Sequence, residues 1–139
     1  MAADELTGIA PLLVGALQRR GHSTLAHGAL SEEERDDWAW CSEAAARDVA
    51  EGRAEQAIVC CWTGTGASIA ANKVRGVRAA LCTDAATAAG AREWNDANVL
   101  VMGYMGLVTE DAVPGILDAW FRAAPKPEAM DQIDLLERG

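Results

Sequence analysis

The stretch Ala57-Ile-Val-Cys-Cys-Trp-Thr-Gly-Thr-Gly-Ala-Ser-Ile-Ala-Ala-Asn-Lys73 decides the fold. Its first five residues form a continuous apolar run, the mark of a strand covered on both faces. Trp62 to Gly66 then reads as a loop, and Ser68 to Lys73 as the opening of a helix. Two more buried strands follow, Val77 to Cys82 and Val99 to Met102, the latter stopped by Gly103. A helix is expected between them over Thr87 to Trp94, and a last long helix over Thr109 to Ala123.

Upstream, Ile9, Leu12, Leu13, Ala16 and Leu17 recur at helical spacing, so Leu6 to Arg20 is expected as a helix that Gly21 ends. Ser23 to Ala26 could be a short strand, and Trp38 to Glu51 is Ala-rich and helix-prone. Only Met1-Ala-Ala precedes Asp4, which makes the first strand a stub or a truncated one. Strands alternating with helices imply an α/β, Rossmann-like three-layer sandwich around a parallel sheet of about five strands. Pro125 and Pro127 break the chain, dividing a main domain at 1–123 from a tail at 124–139 expected to pack on the domain or on a dimer partner.

The chain has 139 residues, enough for one domain with a real core. Its 21 acidic and 12 basic residues give a net charge of -9. Such a surface repels nucleic acid and anionic membranes, so neither is an expected partner. No apolar run approaches the roughly 20 residues that span a bilayer, and no signal peptide is visible. Cys41, Cys60, Cys61 and Cys82 show neither zinc spacing nor a secreted disulfide framework, which suggests reduced thiols in a cytoplasm and no metal.

The chemistry concentrates in the loop. Gly64 and Gly66 let backbone approach a ligand closely. The amides that follow open a helix and can stabilise a bound anion or an oxyanion formed during reaction. Cys61, at the strand end beside them, is a candidate base or nucleophile, although a buried structural cysteine fits the same pattern. Cys60 is expected on the opposite face of the sheet, in the core. His27, near a strand end, is a weaker candidate to reach the cleft.

The run Cys61-x-Thr-Gly-x-Gly-x-Ser-Ile-Ala-Ala-Asn-Lys73, with Gly76-Val-Arg-Ala-Ala-Leu-Cys82 and Arg92-Glu-x-Asn-Asp-x-Asn-Val-Leu100, resembles ribose-5-phosphate isomerase B. Galactose-6-phosphate isomerase belongs to the same superfamily. The resemblance implies a dimer or tetramer with sites shared between subunits, no cofactor, and aldose–ketose isomerisation through an enediolate. It places Cys61 as the base and Thr63 beside the reacting oxygens. The loop of Trp62, Gly64, Thr65, Gly66 and Ser68 would bind substrate, with the amides of Thr63 to Ser68 stabilising the enediolate. Asn95 and Asp4 fall on substrate-contacting positions.

The departures carry information too. Trp62 replaces a glycine. Asp4-Glu5 stands for an Asp-His pair, and Glu5 is kept as a substrate-side candidate. Trp94 replaces the histidine that opens the sugar ring. The expected arginine after Gly103 becomes Met105, and Glu128 to Asp134 lacks the phosphate-gripping arginines. Phosphate recognition draws on Arg and Lys. A metal-free, enolate-type isomerisation of a non-phosphorylated carbonyl or sugar-like substrate is therefore expected, with Trp62 and Trp94 as pocket walls and Trp38 near the cleft. The alternatives are a site-sharing or non-catalytic subunit of a hetero-oligomer, and an ordinary sugar-phosphate isomerase.

Overall fold

The computed structural model describes residues 1–138. Five parallel strands form one sheet: β1 (Ala2–Ala3), β2 (His27–Gly28), β3 (Ala57–Cys61), β4 (Ala79–Leu81) and β5 (Val99–Gly103), in the order β2-β1-β3-β5-β4. Six α-helices connect and flank them: α1 (Ala10–Arg19), α2 (Trp38–Ala50), α3 (Thr65–Asn72), α4 (Ala85–Asn95), α5 (Val113–Arg122) and α6 (Met130–Leu136). Strand order runs one way from β1 to β2 and the other way from β3 to β5 and β4. The switch point therefore lies between β1 and β3, where parallel sheets hold ligands at the strands' C-terminal ends.

Side chains alternate along β3, which fixes what each cysteine meets. Ile58 and Cys60 enter a core built with Leu13, Leu100, Ile116 and Trp120. Val59 and Cys61 enter the opposite core, against Cys41, Ala45, Ala67 and Ala71. The second core is lined by alanines because α2 and α3 lie close to the strands there. Gly28 marks the limit of that approach. With φ +67°, a Cβ on it would stand 2.5 Å from the Ala3 carbonyl and 2.7 Å from the Cys41 Cβ.

Several boundaries differ from expectation, each for a local reason. Helix α1 starts at Ala10, not Leu6, because Gly8 turns the chain at φ +55° and Pro11 sits in the first helical turn. Residues 23–26 form no strand; pairing with β1 begins only at His27, opposite Ala2. Helix α3 begins three residues before Ser68, because Gly64 at φ +80° caps it directly after the loop. The expected long helix splits into a 3-10 turn at Glu110–Ala112 and α5, with Pro114 at the junction. In the tail, Ala129 and Ile133 are buried, and the Lys126 amide donates to the Glu93 carbonyl at 2.8 Å.

Candidate active site

The glycine loop is built by two backbones in contact. A Cβ on Gly103 would stand 2.5 Å from the carbonyl carbon and oxygen of Thr63. One on Gly64 would stand 3.1 Å from the Gly103 amide and 2.4 Å from Leu81. The exit of β5 is stitched to the same loop: the Tyr104 amide donates to the Cys61 carbonyl at 3.2 Å, and the Met105 amide to the Trp62 carbonyl at 2.8 Å. These contacts require glycine at 64 and 103 and hold the loop still.

Ser68 donates its amide to the Gly64 carbonyl at 3.0 Å, so that amide is committed to the helix and does not join the anion-facing set. The Thr65 amide leans on the Thr63 hydroxyl at 3.4 Å, and the two threonine hydroxyls share a 2.7 Å hydrogen bond. The amides of Thr63, Gly64, Gly66 and Ala67 have no acceptor among the described residues. Unpaired amides at the start of a helix favour a negative oxygen; of these residues Thr63 and Gly66 reach solvent, while Gly64 and Ala67 are buried.

Cys61 lies beneath this loop. It retains 6% of its surface, whereas Cys41 and Cys60 retain none. Burial pushes the Cys41 thiol up to about 12 and the Cys82 thiol to about 11, and it raises Cys60 as well. Those three thiols are therefore protonated at neutral pH and poor as bases.

Three indoles sort differently. Trp38, at the start of α2, lies over Gly66, where a Cβ would come within 2.8 Å of its ring. Trp62 stands in the loop and is 57% exposed. Trp94 and Asn95 lie at the end of α4, next to the N-terminal ends of the strands, while Cys61 pairs with Gly103 at the C-terminal ends. Four strand steps of about 3.3 Å separate these ends, roughly 13 Å. One chain alone does not bring Trp94 and Asn95 to Cys61.

Two cavities, of about 560 and 370 Å³, also lie at that far end. The larger is lined by Lys73, Arg75, Arg78 and Asn95, among others, and Cys61 lines neither. Lys126 sits over the Trp94 ring at 4.6 Å and pairs with Glu93. His27 is fully engaged elsewhere, with Glu34 at 2.9 Å on Nδ1 and Asp48 at 2.6 Å on Nε2. It is a structural residue and does not reach the loop.

Asp4 follows β1 at the switch point and is half-buried, while Glu5 beside it is exposed. The Tyr104 hydroxyl donates to Asp4 Oδ1, a contact that the sequence reading missed. The available signal was the chain's only tyrosine placed directly after a buried strand. Among the described residues no group of three or more His, Cys, Asp or Glu side chains is placed to hold a metal ion, and no helix is long and apolar enough to cross a membrane.

The Ribose/Galactose Isomerase family profile matches residues 2–134. Galactose-6-phosphate isomerase subunit LacB of Clostridium acetobutylicum is 37% identical over 117 residues, which cover 84% of this chain and 66% of that protein. Ribose-5-phosphate isomerase B of Escherichia coli is 38% identical over 111 residues, covering 80% of this chain and 73% of its own length. Among solved structures, ribose-5-phosphate isomerase B of Clostridium thermocellum superposes with a TM-score of 0.86 at 33% identity, over 94% of this chain and 87% of that one. The matched stretch thus spans about two thirds to three quarters of these two curated relatives.

Proposed function

This chain belongs to the ribose/galactose isomerase family, and from that premise we propose that it isomerises a carbonyl compound by proton transfer, with Cys61 as the base. The observation that carries this reading is the juxtaposition at the end of β3 of a cysteine and a loop whose amides lack acceptors among the described residues. The Cys61 thiolate takes a proton from the carbon next to the carbonyl. The electron pair moves onto the carbonyl oxygen, and the resulting enolate oxygen is held by the amides of Gly66 and Ala67, with Thr63 and Thr65 beside them. The hydroxyl on the carbon that lost its proton passes its own proton to the former carbonyl oxygen and becomes the new carbonyl. The Cys61 thiol returns its proton to the former carbonyl carbon, which completes the isomerisation and restores the thiolate. Asp4 offers a carboxylate oxygen to a substrate hydroxyl, with Glu5 at the rim, and Trp62 and Trp38 give the mouth an apolar wall.

The site is completed by a second copy. Exposed Leu6, Trp38, Trp62, Leu81, Met105 and Leu107 surround the loop end, an apolar rim suited to an interface. A partner docked there would lend Trp94 and Asn95 from its far end. That end favours a substrate without phosphate: Arg78 is matched by Asp96 and Glu137, Arg92 by Asp96, and Lys126 by Glu93. Glu128, Asp131 and Asp134 add negative charge. Lys73 and Arg75 carry no ion pair among the described residues, so phosphorylated substrates belong in the test as a separate arm.

The experiment is solvent deuterium incorporation, read by NMR, for D-erythrulose, D-erythrulose 4-phosphate, D-ribose and D-ribose 5-phosphate. Exchange is expected into an unphosphorylated sugar at least as fast as into its phosphate, and Cys61→Ser is expected to lower it about 100-fold or more. Strong preference for D-ribose 5-phosphate would overturn the substrate reading, and full activity of Cys61→Ser would overturn the base.

A further inference from the structure

Strands β1 and β5 flank β3, so a contact between residues that follow them must cross the end of β3. Asp4 and Tyr104 make that contact, 100 residues apart in sequence. We propose that Tyr104 is a positioning residue for the reaction: its hydroxyl fixes the Asp4 carboxylate across the top of β3 and leaves Oδ2 as the open acceptor at the switch point. This rests on the function proposed above.

The bridge is built rather than incidental. The Tyr104 ring is only 7% exposed and packs in the core that contains Cys60, Met102 and Ala3. Gly8 closes over it; a Cβ there would stand 2.7 Å from the Tyr104 Cβ, so only glycine lets the 5–8 turn come down on the ring. Thus two backbone elements hold the ring, and the ring holds the hydroxyl. Asp4 has no other hydrogen bond among the described residues, so without Tyr104 nothing polar would fix its half-buried carboxylate. Fixing it removes the entropy that substrate binding would otherwise have to overcome. The bridge also closes the end of β3 on the Cys60 side.

Burial raises the Tyr104 pKa, and the hydrogen bond to Asp4 with the nearby charges of Asp4 and Glu5 adds to the effect. The phenol therefore stays a neutral donor at physiological pH. Because Tyr104 is the chain's only tyrosine, tyrosinate absorbance reports this one group.

Tyr104→Phe deletes one oxygen and keeps the ring. With the sugar that exchanges best among the four probes, KM is expected to rise about five- to tenfold while kcat stays within about twofold. Asp4→Asn should behave similarly, and the double variant should be no worse than Asp4→Asn alone. In alkaline titration, Asp4→Asn should ionise its tyrosine at a lower pH than the wild type. An active wild type with an unchanged KM in Tyr104→Phe overturns the inference alone. An unshifted tyrosinate titration in folded Asp4→Asn does the same. Absence of exchange with every probe overturns the proposed function, and the inference falls with it.

Discussion

The two ends of the sheet are built on opposite plans. At the C-terminal end, glycine backbones touch, amides are left free, and the side chains that reach solvent are largely apolar. At the N-terminal end, cavities open, and charged groups gather in pairs such as Arg78 with Asp96 and Asp48 with His27 and Arg53. On the proposed reading, the first end would form and hold an anion but has little to surround it. The second carries Trp94 and Asn95 but no base. On the function proposed above, one chain presents two incomplete halves, and a second copy placed head to tail would join them.

The sharpest break in the comparison comes from the adjacent thiols. Cys61→Ala should reduce exchange about 100- to 1,000-fold with little loss of stability, measured by deuterium incorporation alongside thermal unfolding. Cys60→Ala should do the reverse: activity is kept, and stability falls by about 1 kcal/mol for the sulfur lost from a closed core. Equal loss of activity from both would dissolve the distinction drawn from strand alternation.

Gly103→Ala tests whether loop rigidity depends on backbone contact. Its Cβ meets the Thr63 backbone at 2.5 Å, which side-chain movement cannot relieve. Destabilisation of about 1–3 kcal/mol is expected in urea unfolding, together with loss of activity.

A smaller effect sharpens the other end. Burial acts to raise the Asp48 pKa, but the hydrogen bonds and charges of His27 and Arg53 outweigh it and hold the carboxyl below its usual value of 3.8. A depressed folded value contributes stability that is present above 3.8 and lost as pH falls through the lower folded value. Asp48→Asn should therefore cost about 1–2 kcal/mol at neutral pH. The gap from wild type should shrink below about pH 4, as urea midpoints would record, with exchange activity at pH 7 unchanged. A constant gap down to pH 2 would contradict the assignment.

Much of this was legible in the sequence. The run Ala57 to Cys61 specified a doubly covered strand because nothing polar interrupts it, and the glycines after it marked the loop where the strand ends. The opposed faces of Cys60 and Cys61 followed from a period of two. Sequence did not show that α3 starts at Thr65, since Gly64 acts through a left-handed dihedral that its identity permits but does not impose. Nor did it show that Ser68 commits its amide to the helix, a consequence of that early start. The Asp4–Tyr104 bridge was invisible because it joins residues 100 apart, and only the strand order brings them together. Placing Trp94 in the cleft required knowing which end of α4 it occupies, and whether the cleft belongs to one chain or two.

The most direct test of the central claim is complementation between two crippled chains. Cys61→Ser and Asn95→Ala, each folded and each with activity reduced at least about tenfold, are mixed at equal amounts, denatured and refolded together. If the thiol of one copy works with the asparagine of another, half of the dimers carry one intact site, and activity should recover to roughly a quarter of the wild type. Activity no higher than the mean of the two variants alone would contradict a site shared across the pair.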